Sequence, residues 1–383
     1  MNAPQAVAVN HLKELQQSGQ SPWLDYIRRD ILTSGELKRM VEEDGLRGVT
    51  SNPAIFEKAI AGSTEYDETL KSLADQKLDP KTTYERLAIQ DIQDAADTLR
   101  PVYDQTNKRD GYVSLEVSPH LAKNLDGTLE EARRLWKAVA RPNLMVKVPA
   151  TPEGILAVQQ LISEGLNINV TLLFAQEAYV RVAEAYVKGL EERAARGGDL
   201  GHIASVASFF ISRIDTLVDS MLSDKLRATT DPSGQAKLKA LMGKVAIANG
   251  RETYQRYQTI FSGPRWDALA KKGAQTQRVL WASTSTKNPE YRDVLYVEEL
   301  IGPDTVDTLP PATLDAFRDH GRVRPSLVED LDGAHKVMES LAAVGISMKQ
   351  VTDKLLDDGV KLFSEPFDKL LDTIRRRCEG GRS

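Results

Sequence analysis

A lysine in the middle of an apolar run has the type and position to do chemistry. Lys147 is flanked by Val146 and Val148 in LMVKVPA, residues 144–150. Lysine is almost never fully buried unless it is paired. One interpretation is a side chain whose stem packs under helices while its ammonium group reaches solvent. The other is a lysine inside a barrel, where desolvation favours the neutral amine, which can condense with a ketone to an iminium.

Two carboxylates interrupt other apolar runs. Glu116 lies in VSLEVS, residues 113–118, and Asp25 lies in WLDYI, residues 23–27. Forming and hydrolysing an iminium requires proton transfers, and two carboxylates at separate positions could divide that work. The alternatives are a salt-bridged strand-end carboxylate for Glu116 and a helix N-cap for Asp25, and the local sequence leaves both open.

Two amides occur in similar positions. Asn52 lies in GVTSNP, residues 48–53, and Asn169 lies in NINVTLL, residues 167–173. A side-chain amide can both donate hydrogen bonds to sugar hydroxyls and accept them. Asn52 precedes a proline and could instead be a plain turn residue, whereas Asn169 within a strand is harder to explain by structure alone.

Basic and hydroxyl side chains suggest a phosphate pocket. Ser208 and Arg213 lie in SFFISR, residues 208–213, at the end of a predicted strand. Arginine suits bidentate binding of phosphate, although a solvated arginine would look the same in sequence. Lys287 follows STST at 283–286, where hydroxyls and backbone N–H groups would favour an anion.

Other function classes find little support. The 383-residue chain has a net charge of −5, which disfavours nucleic acid as the main partner. No P-loop, GxSxG or HExxH motif occurs, and no GxGxxG follows a predicted strand. We expect His120, His202 and His320 to be structural or surface residues. The single cysteine, Cys378, offers no cysteine pair for a zinc site, and we expect no metal.

Short apolar, β-branched runs carry these residues and predict buried parallel strands, since such strands are apolar on both faces. Pattern alone makes 22–27 a weaker candidate. The other predicted strands lie at 45–53, 112–118, 143–150, 166–174, 202–210, 278–284 and 304–310.

Helical patterns follow the strands. One begins at Thr151, a predicted N-cap with Pro152 in the first helical position, and another covers 176–197. Strand and helix alternate about eight times, which predicts an α/β fold, a (β/α)8 TIM barrel. We expect one domain over residues 1–383. Helical elaborations are predicted at about 57–108 and 214–275, and a C-terminal amphipathic helix at about 346–376 that packs on the barrel.

The sequence predicts a cytoplasmic location for the protein. The N-terminus lacks the charged segment and following apolar segment of a secretory signal. The chain contains no apolar run of 18 residues, so we expect no membrane span.

These motifs together resemble the transaldolases, in particular the longer bacterial form. The resemblance covers most of the chain, and the combination of motifs is specific although no single one is. The segments that carry it are SPWLDYIRRDIL (21–32), GVTSNPAIFEKAI (48–60), YVSLEVSP (112–119), LMVKVPATPEGI (144–155), NINVTLLF (167–174), VASFFISRID (206–215), WASTSTKNP (281–289) and DTVDTLPPATLDAF (304–317).

The resemblance implies catalytic roles for four residues. Lys147 would form a Schiff base with the C2 carbonyl of a ketose phosphate. Asp25 would take the proton from the C4 hydroxyl as the C3–C4 bond breaks. Glu116 would pass protons through a water that it holds together with Thr171.

The resemblance also implies substrate contacts. Asn52 and Asn169, with Thr50 nearby, would hold the dihydroxyacetone hydroxyls, and Ser208 and Arg213 would bind the phosphate. Lys287 is a candidate for the further basic phosphate contact, although the local motif differs from that of the shorter transaldolases.

The implied reaction converts sedoheptulose 7-phosphate and glyceraldehyde 3-phosphate reversibly into erythrose 4-phosphate and fructose 6-phosphate. This reaction belongs to the non-oxidative pentose phosphate pathway and needs no cofactor. The implied partners of the protein are its sugar phosphate substrates. The oligomeric state, monomer or homodimer, stays open.

Two rival functions are considered. One is an aldolase of the same superfamily that cleaves fructose 6-phosphate to free dihydroxyacetone. Those aldolases tend to carry Gln where Glu116 stands and Tyr where Phe210 stands, so the residues here favour transfer. The other rival is a non-catalytic barrel that acts as a scaffold, which the intact set of polar strand residues disfavours.

Overall fold

The computed structural model describes residues 10–380, and its centre is a closed barrel of eight parallel strands. The strands follow chain order around the barrel, and the last pairs with the first. The predicted (β/α)8 barrel is therefore confirmed, and the weaker candidate at 22–27 overlaps the first strand. The strands are β1 (Gln20–Asp25), β2 (Gly48–Thr50), β3 (Tyr112–Glu116), β4 (Leu144–Pro149), β5 (Ile168–Leu173), β6 (Ser205–Phe210), β7 (Arg278–Ala282) and β8 (Thr305–Leu309).

The strands are buried on both faces, which explains their apolar runs. Every residue of β4 is buried, including Lys147, and the same holds for all residues of β5 and β6. Inward side chains fill the barrel while outward ones pack beneath the helices. A polar residue in such a strand therefore loses its contact with bulk water.

Helices surround this barrel. They are α1 (His11–Gln17), α2 (Arg29–Thr33), α3 (Glu36–Arg39), α4 (Pro53–Ala61), α5 (Asp67–Ala74), α6 (Pro80–Gln105), α7 (Leu125–Val139), α8 (Pro152–Glu164), α9 (Gln176–Ala195), α10 (Ser212–Ala228), α11 (Pro232–Lys239), α12 (Val245–Ile260), α13 (Gly263–Ala270), α14 (Leu295–Glu298), α15 (Pro311–His320), α16 (Leu331–Ala343) and α17 (Met348–Gly380). Single turns of 3₁₀-helix occur at Pro119–Leu121 and Ser326–Val328, and a π-helical turn at Met40–Asp44.

Local sequence explains where several helices begin. The side chains of Asn52, Asp79 and Thr151 accept hydrogen bonds from backbone N–H groups in the first turns of α4, α6 and α8. Each cap is followed by a proline, which loses nothing in the first helical position because its N–H would be unpaired there. The N-cap predicted at Thr151 is thus confirmed.

The two long segments between strands are mostly helical. Within 57–108, α6 packs against β3 and α7, and within 214–275, α12 packs against β7 and α9. These two helices therefore belong to the outer helical layer of the barrel. The helical additions to a plain (β/α)8 barrel are shorter than the predicted segments 57–108 and 214–275. A single domain over 1–383 stays a prediction.

Both ends of the chain bear on the predictions. The segment 346–376 corresponds to α17, which contacts α4, α10 and β5. Residues 1–9, part of the N-terminal segment for which no secretory signal is predicted, lie outside the described residues. Between residues 10 and 380, no helix has the length and apolar character to cross a membrane.

Candidate active site

Three polar residues lie at one level on three neighbouring strands. Glu116 of β3 is opposite Lys147 of β4, and Lys147 is opposite Asn169 of β5. Because opposed residues of parallel strands point to the same face of the sheet, the three side chains share one face. The carboxyl end of the strands, to which Glu116 belongs as the last residue of β3, is where such barrels carry their active sites.

Lys147 is a buried amine at the centre of this group. Its side chain is 5% exposed, and Nζ lies 3.6 Å from Glu116 Oε2. Nζ also donates a hydrogen bond to the backbone oxygen of Ser51 at 3.2 Å. The ring centre of Phe363, on α17, lies 5.8 Å from Nζ. The ammonium group therefore does not reach solvent, and the interpretation of a strand lysine with a solvated head is wrong.

Glu116 is held where a carboxylate is costly. Burial raises the pKa of Glu116 to about 7, against the lowering effect of the adjacent Lys147 and with a smaller raising effect of Asp25. A carboxyl group with a pKa near neutrality can both give and take a proton at physiological pH. This is the property that a proton carrier beside an amine requires.

Two buried side-chain oxygens, one on β3 and one on β5, have no hydrogen-bond partner among the described residues. They are Glu116 Oε2, whose ion-pair neighbour is Lys147 Nζ, and Thr171 Oγ1. Thr171 is opposite Pro149 of β4, two residues beyond Lys147 along that strand. Buried polar atoms are almost always paired, so such oxygens suit a bound water or substrate.

Asp25 is the last residue of β1 and not a helix N-cap. Its Oδ1 accepts a hydrogen bond from the Thr50 hydroxyl at 2.7 Å, and that hydroxyl also lies 2.6 Å from Thr308 Oγ1. Burial raises the pKa of Asp25, while the charge of Lys147, the bond from Thr50 and the charge of Arg213 lower it. Asp25 therefore lies within electrostatic reach of the amine and of the arginine.

Asn169 is the centre of a hydrogen-bonded chain inside the barrel. Its Nδ2 donates to Ser114 Oγ at 3.0 Å, and its Oδ1 accepts from the Ser208 hydroxyl at 2.7 Å. These bonds join β3, β5 and β6 through their inward side chains. The Ser208 hydroxyl, which the resemblance assigns to phosphate, thus points to Asn169 in this state of the chain.

Asn52 caps the helix that follows β2. Its Oδ1 accepts from the backbone N–H of Ile55 at 3.0 Å. This local bond gives the Asn-Pro pair a structural role at the start of α4. It also fixes the side-chain amide of Asn52 between Thr50 and α4. The turn interpretation and the binding prediction are therefore compatible.

Basic side chains gather beyond the end of β6. Arg213 is the second residue of α10, and its Nη1 is buried without a hydrogen-bond partner within residues 10–380. The guanidinium carbon lies 5.2 Å from the ring centre of Phe210, which packs against Phe174 at 5.3 Å between ring centres. The aromatic pair therefore supports the arginine from one side.

Lys287 is exposed near two other cations. Its Nζ donates to Ser285 Oγ at 2.7 Å. Partial loss of water contact lowers the pKa of Lys287, and the charges of Arg213 and Lys58 lower it further. Like charges held close together favour an anion between them.

Several neighbours of the site are absent from the sequence predictions. Ser114 could have been found, because it lies two residues before Glu116 in β3 and so shares its face. The sequence around Thr308 and Lys58 does not predict a place in the site. Their proximity to it depends on which strands and helices pack together in the fold. Phe363 is separated from Lys147 by most of the chain, and its sequence predicts only a buried helix face.

The histidines lie at the surface. His120 and His202 are exposed, and His320 is partly exposed beside Asp293. No group of three or more His, Cys, Asp or Glu side chains within the described residues could hold a metal ion.

Comparisons with known proteins agree with this geometry. The family model "Transaldolase/Fructose-6-phosphate aldolase" matches residues 22–374. The chain is 49% identical to a transaldolase of Trichodesmium erythraeum over 375 residues, covering 97% of this chain and 99% of that protein. It is 50% identical to "Transaldolase 2" of Nostoc punctiforme over 376 residues, with the same coverage. A transaldolase of Thiobacillus denitrificans is 46% identical over 366 residues, or 96% of this chain and 100% of that protein.

The matched residues span all eight strands except the start of β1, together with Lys147, both carboxylates and the basic group beyond β6. Barrel, buried amine and full-length similarity thus lead to one conclusion: the chain belongs to the transaldolase/fructose-6-phosphate aldolase family.

Proposed function

We propose that this protein is a transaldolase that moves a dihydroxyacetone unit between sugar phosphates through a Schiff base on Lys147. The observation that carries the proposal is the buried Nζ of Lys147, 3.6 Å from a carboxyl oxygen of Glu116 inside the barrel. Relatives of almost the same length that are named transaldolases support the same activity.

The first step joins the sugar to the enzyme. The neutral amine of Lys147 adds to the C2 carbonyl of the ketose phosphate and gives a carbinolamine. Glu116 donates a proton to the departing hydroxyl, water leaves and an iminium forms. The unpartnered oxygens of Glu116 and Thr171 support a water that carries this proton.

The second step breaks the carbon chain. Asp25 takes the proton of the C4 hydroxyl, and the C3–C4 electron pair moves into the iminium, which becomes an enamine. An aldose phosphate leaves. The cationic iminium accepts the electrons that a metal ion would stabilise in other aldolases, so the reaction needs no cofactor.

The third step is transfer. The enamine carbon attacks the aldehyde carbon of an acceptor sugar, and Asp25 returns its proton to the new hydroxyl. Water then adds to the iminium and releases the product ketose with Lys147 as the amine. The hydrogen bond from Thr50 and the nearby cations support Asp25 as a base that can cycle between both forms.

Binding of the two ends of the sugar is divided between amides and cations. Asn52 and Asn169, with Thr50, are assigned to the dihydroxyacetone hydroxyls. Arg213 and Lys287 are assigned to the phosphate, and the unpartnered Nη1 of Arg213 supports this assignment. Ser208 is the remaining phosphate ligand, and it must exchange its bond to Asn169 to act as one.

The biological setting follows from the substrates. Sugar phosphates are the proposed partners, the non-oxidative pentose phosphate pathway is the proposed route, and the cytoplasm is the proposed location. Sedoheptulose 7-phosphate and fructose 6-phosphate are the proposed donors, with glyceraldehyde 3-phosphate and erythrose 4-phosphate as acceptors.

The rival within the family is an aldolase that releases dihydroxyacetone. The test is to incubate the protein with fructose 6-phosphate alone and with added erythrose 4-phosphate, and to measure free dihydroxyacetone and sedoheptulose 7-phosphate. A transaldolase forms the seven-carbon sugar and releases little dihydroxyacetone. Rapid release without any acceptor would instead identify an aldolase.

A further inference from the structure

The C-terminal helix crosses the mouth of the barrel. α17 contacts α4 and α5 after β2, the turn at Pro119–Leu121 after β3, the strand β5 and α10 after β6. The carboxyl ends of these strands carry Lys147, Glu116, Asn169 and Arg213 or lie next to them. A helix in this position can control what reaches the amine.

Phe363 is the part of α17 that reaches Lys147. Its ring is 5% exposed, and the ring centre lies 5.8 Å from Nζ. One turn later Phe367 packs edge-on against Tyr84, with ring centres 5.5 Å apart. The amine is therefore bounded on the side of α17 by an apolar ring that is itself packed.

Several contacts hold this helix in place. Lys369 pairs with Glu57 of α4 at 2.9 Å, and Asp368 pairs with His120 at 2.7 Å. Arg377 pairs with Asp67 of α5. These pairs join α17 to the helices after β2 and to the turn after β3.

A close backbone approach seats the same helix on β5. A Cβ on Gly359 would lie 2.9 Å from a methyl carbon of Leu172, the residue after Thr171. Glycine therefore lets α17 lie directly on the strand that carries Asn169 and Thr171. Phe363 is one helical turn beyond this contact, which explains how the ring reaches the interior.

We propose that Phe363 excludes water from the enamine on Lys147 and thereby makes transfer faster than release. This proposal rests on the proposed transaldolase activity. After the aldose leaves, the enamine carbon can attack an acceptor aldehyde, or it can take a proton from water. Protonation gives an iminium, and addition of water to it releases dihydroxyacetone and the free amine. Attack on the acceptor needs no water, and hydrolysis of an iminium is common to both routes. An apolar ring that keeps bulk water from the enamine carbon, two bonds from Nζ, therefore slows the protonation that leads only to release.

The quantity to measure is the ratio of dihydroxyacetone released to dihydroxyacetone transferred. With fructose 6-phosphate and a fixed concentration of erythrose 4-phosphate, both products come from one enamine on the same folded molecules. The ratio therefore does not depend on the fraction of a variant that folds. We expect Phe363→Ala to raise it by about tenfold or more, since about 1.4 kcal/mol of barrier corresponds to tenfold in rate.

Two further variants separate shielding from other effects. Leu362→Ala changes the neighbouring residue of α17, which is 49% exposed, and should leave the ratio at the wild-type value. Phe363→Leu keeps an apolar side chain but removes the ring face that could stabilise a cation. We expect its ratio to stay within about threefold of wild type, because shielding needs apolar bulk and not a π system.

The outcomes distinguish the two proposals. A wild-type ratio in Phe363→Ala would overturn the shielding role, as would a Phe363→Leu ratio equal to that of Phe363→Ala. In both cases a borohydride adduct on Lys147 in the wild-type protein would leave the transaldolase activity standing. A wild-type protein that forms no adduct would overturn both proposals together.

Discussion

Lys147 and Glu116 form a buried pair of an amine and a carboxyl group. The two side chains are each 5% exposed and lie 3.6 Å apart. Only the ionised form of Glu116 can accept the proton that the nitrogen loses as it adds to the carbonyl. Glu116 can then give that proton to the departing hydroxyl. Ionisation of Glu116 therefore activates the site.

This pairing predicts a pH dependence. Because burial raises the pKa of Glu116 to about 7, kcat/KM should rise as pH increases through about 7. Glu116→Gln removes the titrating group, so that rising limb should disappear, and kcat should fall by about 100-fold through loss of proton transfer. The measurement is the pH profile of kcat/KM between pH 5.5 and 8.5, roughly the span over which such a group titrates.

The exposed Glu130 of α7 offers a matched control. Glu130→Gln should reproduce the wild-type profile. A Glu116→Gln protein that retains the rising limb would show that another group governs it.

At the scale of elements, β5 departs from regular structure next to the site. Leu172 has φ of +61°, and the register between β5 and β6 shifts between Val170 and Leu173. A bulky residue in this region costs about 1–3 kcal/mol, so packing must hold it there. The close contact of Leu172 with Gly359 provides such packing. Bulges of this kind re-aim side chains, here Thr171 just before it.

A second feature at this scale joins α10 to α12 and to the segment after β7. Asp215 of α10 accepts hydrogen bonds from the backbone N–H of Ala246 at 2.8 Å and from the Tyr296 hydroxyl at 2.9 Å. Asp219, one turn later, accepts from the Tyr291 hydroxyl at 2.7 Å. Since Arg213 precedes Asp215 by two residues, this network helps to fix the arginine.

The network predicts a pH-dependent stability. Burial raises the pKa of Asp215 to about 7, opposed by the bond from Ala246 and increased by the charge of Asp219. A raised carboxyl pKa means that the folded state prefers the protonated form. The stabilisation is complete below the unfolded pKa near 4 and is lost as pH rises through about 7. Asp215→Asn should therefore raise the free energy of unfolding at pH 8 by about 1–2 kcal/mol and change it little at pH 5.

Urea unfolding of Asp215→Asn at the two pH values tests this. Asp224→Asn, at an exposed position on the same helix, should change little at either pH. Equal destabilisation of Asp215→Asn at both pH values would mean that lost hydrogen bonds and not ionisation dominate.

The sequence predicts these elements unevenly, for physical reasons. The run around Lys147 is readable because a strand buried on both faces must be apolar almost throughout. The first strand is weaker in pattern because Gln20, Ser21 and Asp25 are polar and Pro22 is a poor strand former. Motif resemblance identified the residues on the strands, whereas Thr308 and Phe363 depend on which elements meet. A local sequence pattern contains no information about which distant elements pack together.

At the scale of the whole molecule, one end of the barrel carries the candidate active site and the opposite end carries a buried ion pair. Arg278, the first residue of β7, pairs with Asp110 at 2.7 Å and donates to Ser21 Oγ at 2.7 Å. Asp110 also accepts from the Trp23 ring nitrogen at 3.2 Å. Burial alone would raise the pKa of Asp110, but the charge of Arg278 and these bonds lower it below its usual value. The group joins β1 and β7 to the loop just before β3, at the end opposite the amine.

This division predicts a variant that loses stability but keeps its chemistry. Arg278→Ala leaves the buried Asp110 without its cation, and should lower the free energy of unfolding by about 3–5 kcal/mol. Below its lowered unfolding temperature, the variant should still transfer dihydroxyacetone at a rate close to wild type. Urea unfolding followed by circular dichroism and tryptophan fluorescence, with activity at low temperature, provides the measurements.

The control is Arg227→Ala, at an exposed position on α10, which should leave stability unchanged. A single transition with coincident signals would also support the prediction of one domain. An Arg278→Ala protein of wild-type stability would contradict the role given to the buried pair.

All three scales depend on one claim, that Lys147 forms the covalent bond to the sugar. The most direct measurement is reduction of a mixture of the protein and fructose 6-phosphate with borohydride, followed by peptide mapping of the adduct. We predict one adduct carrying a three-carbon unit, located on Lys147 and absent from a folded Lys147→Ala variant. An adduct on another lysine, an adduct that persists in Lys147→Ala, or no adduct at all would contradict the account.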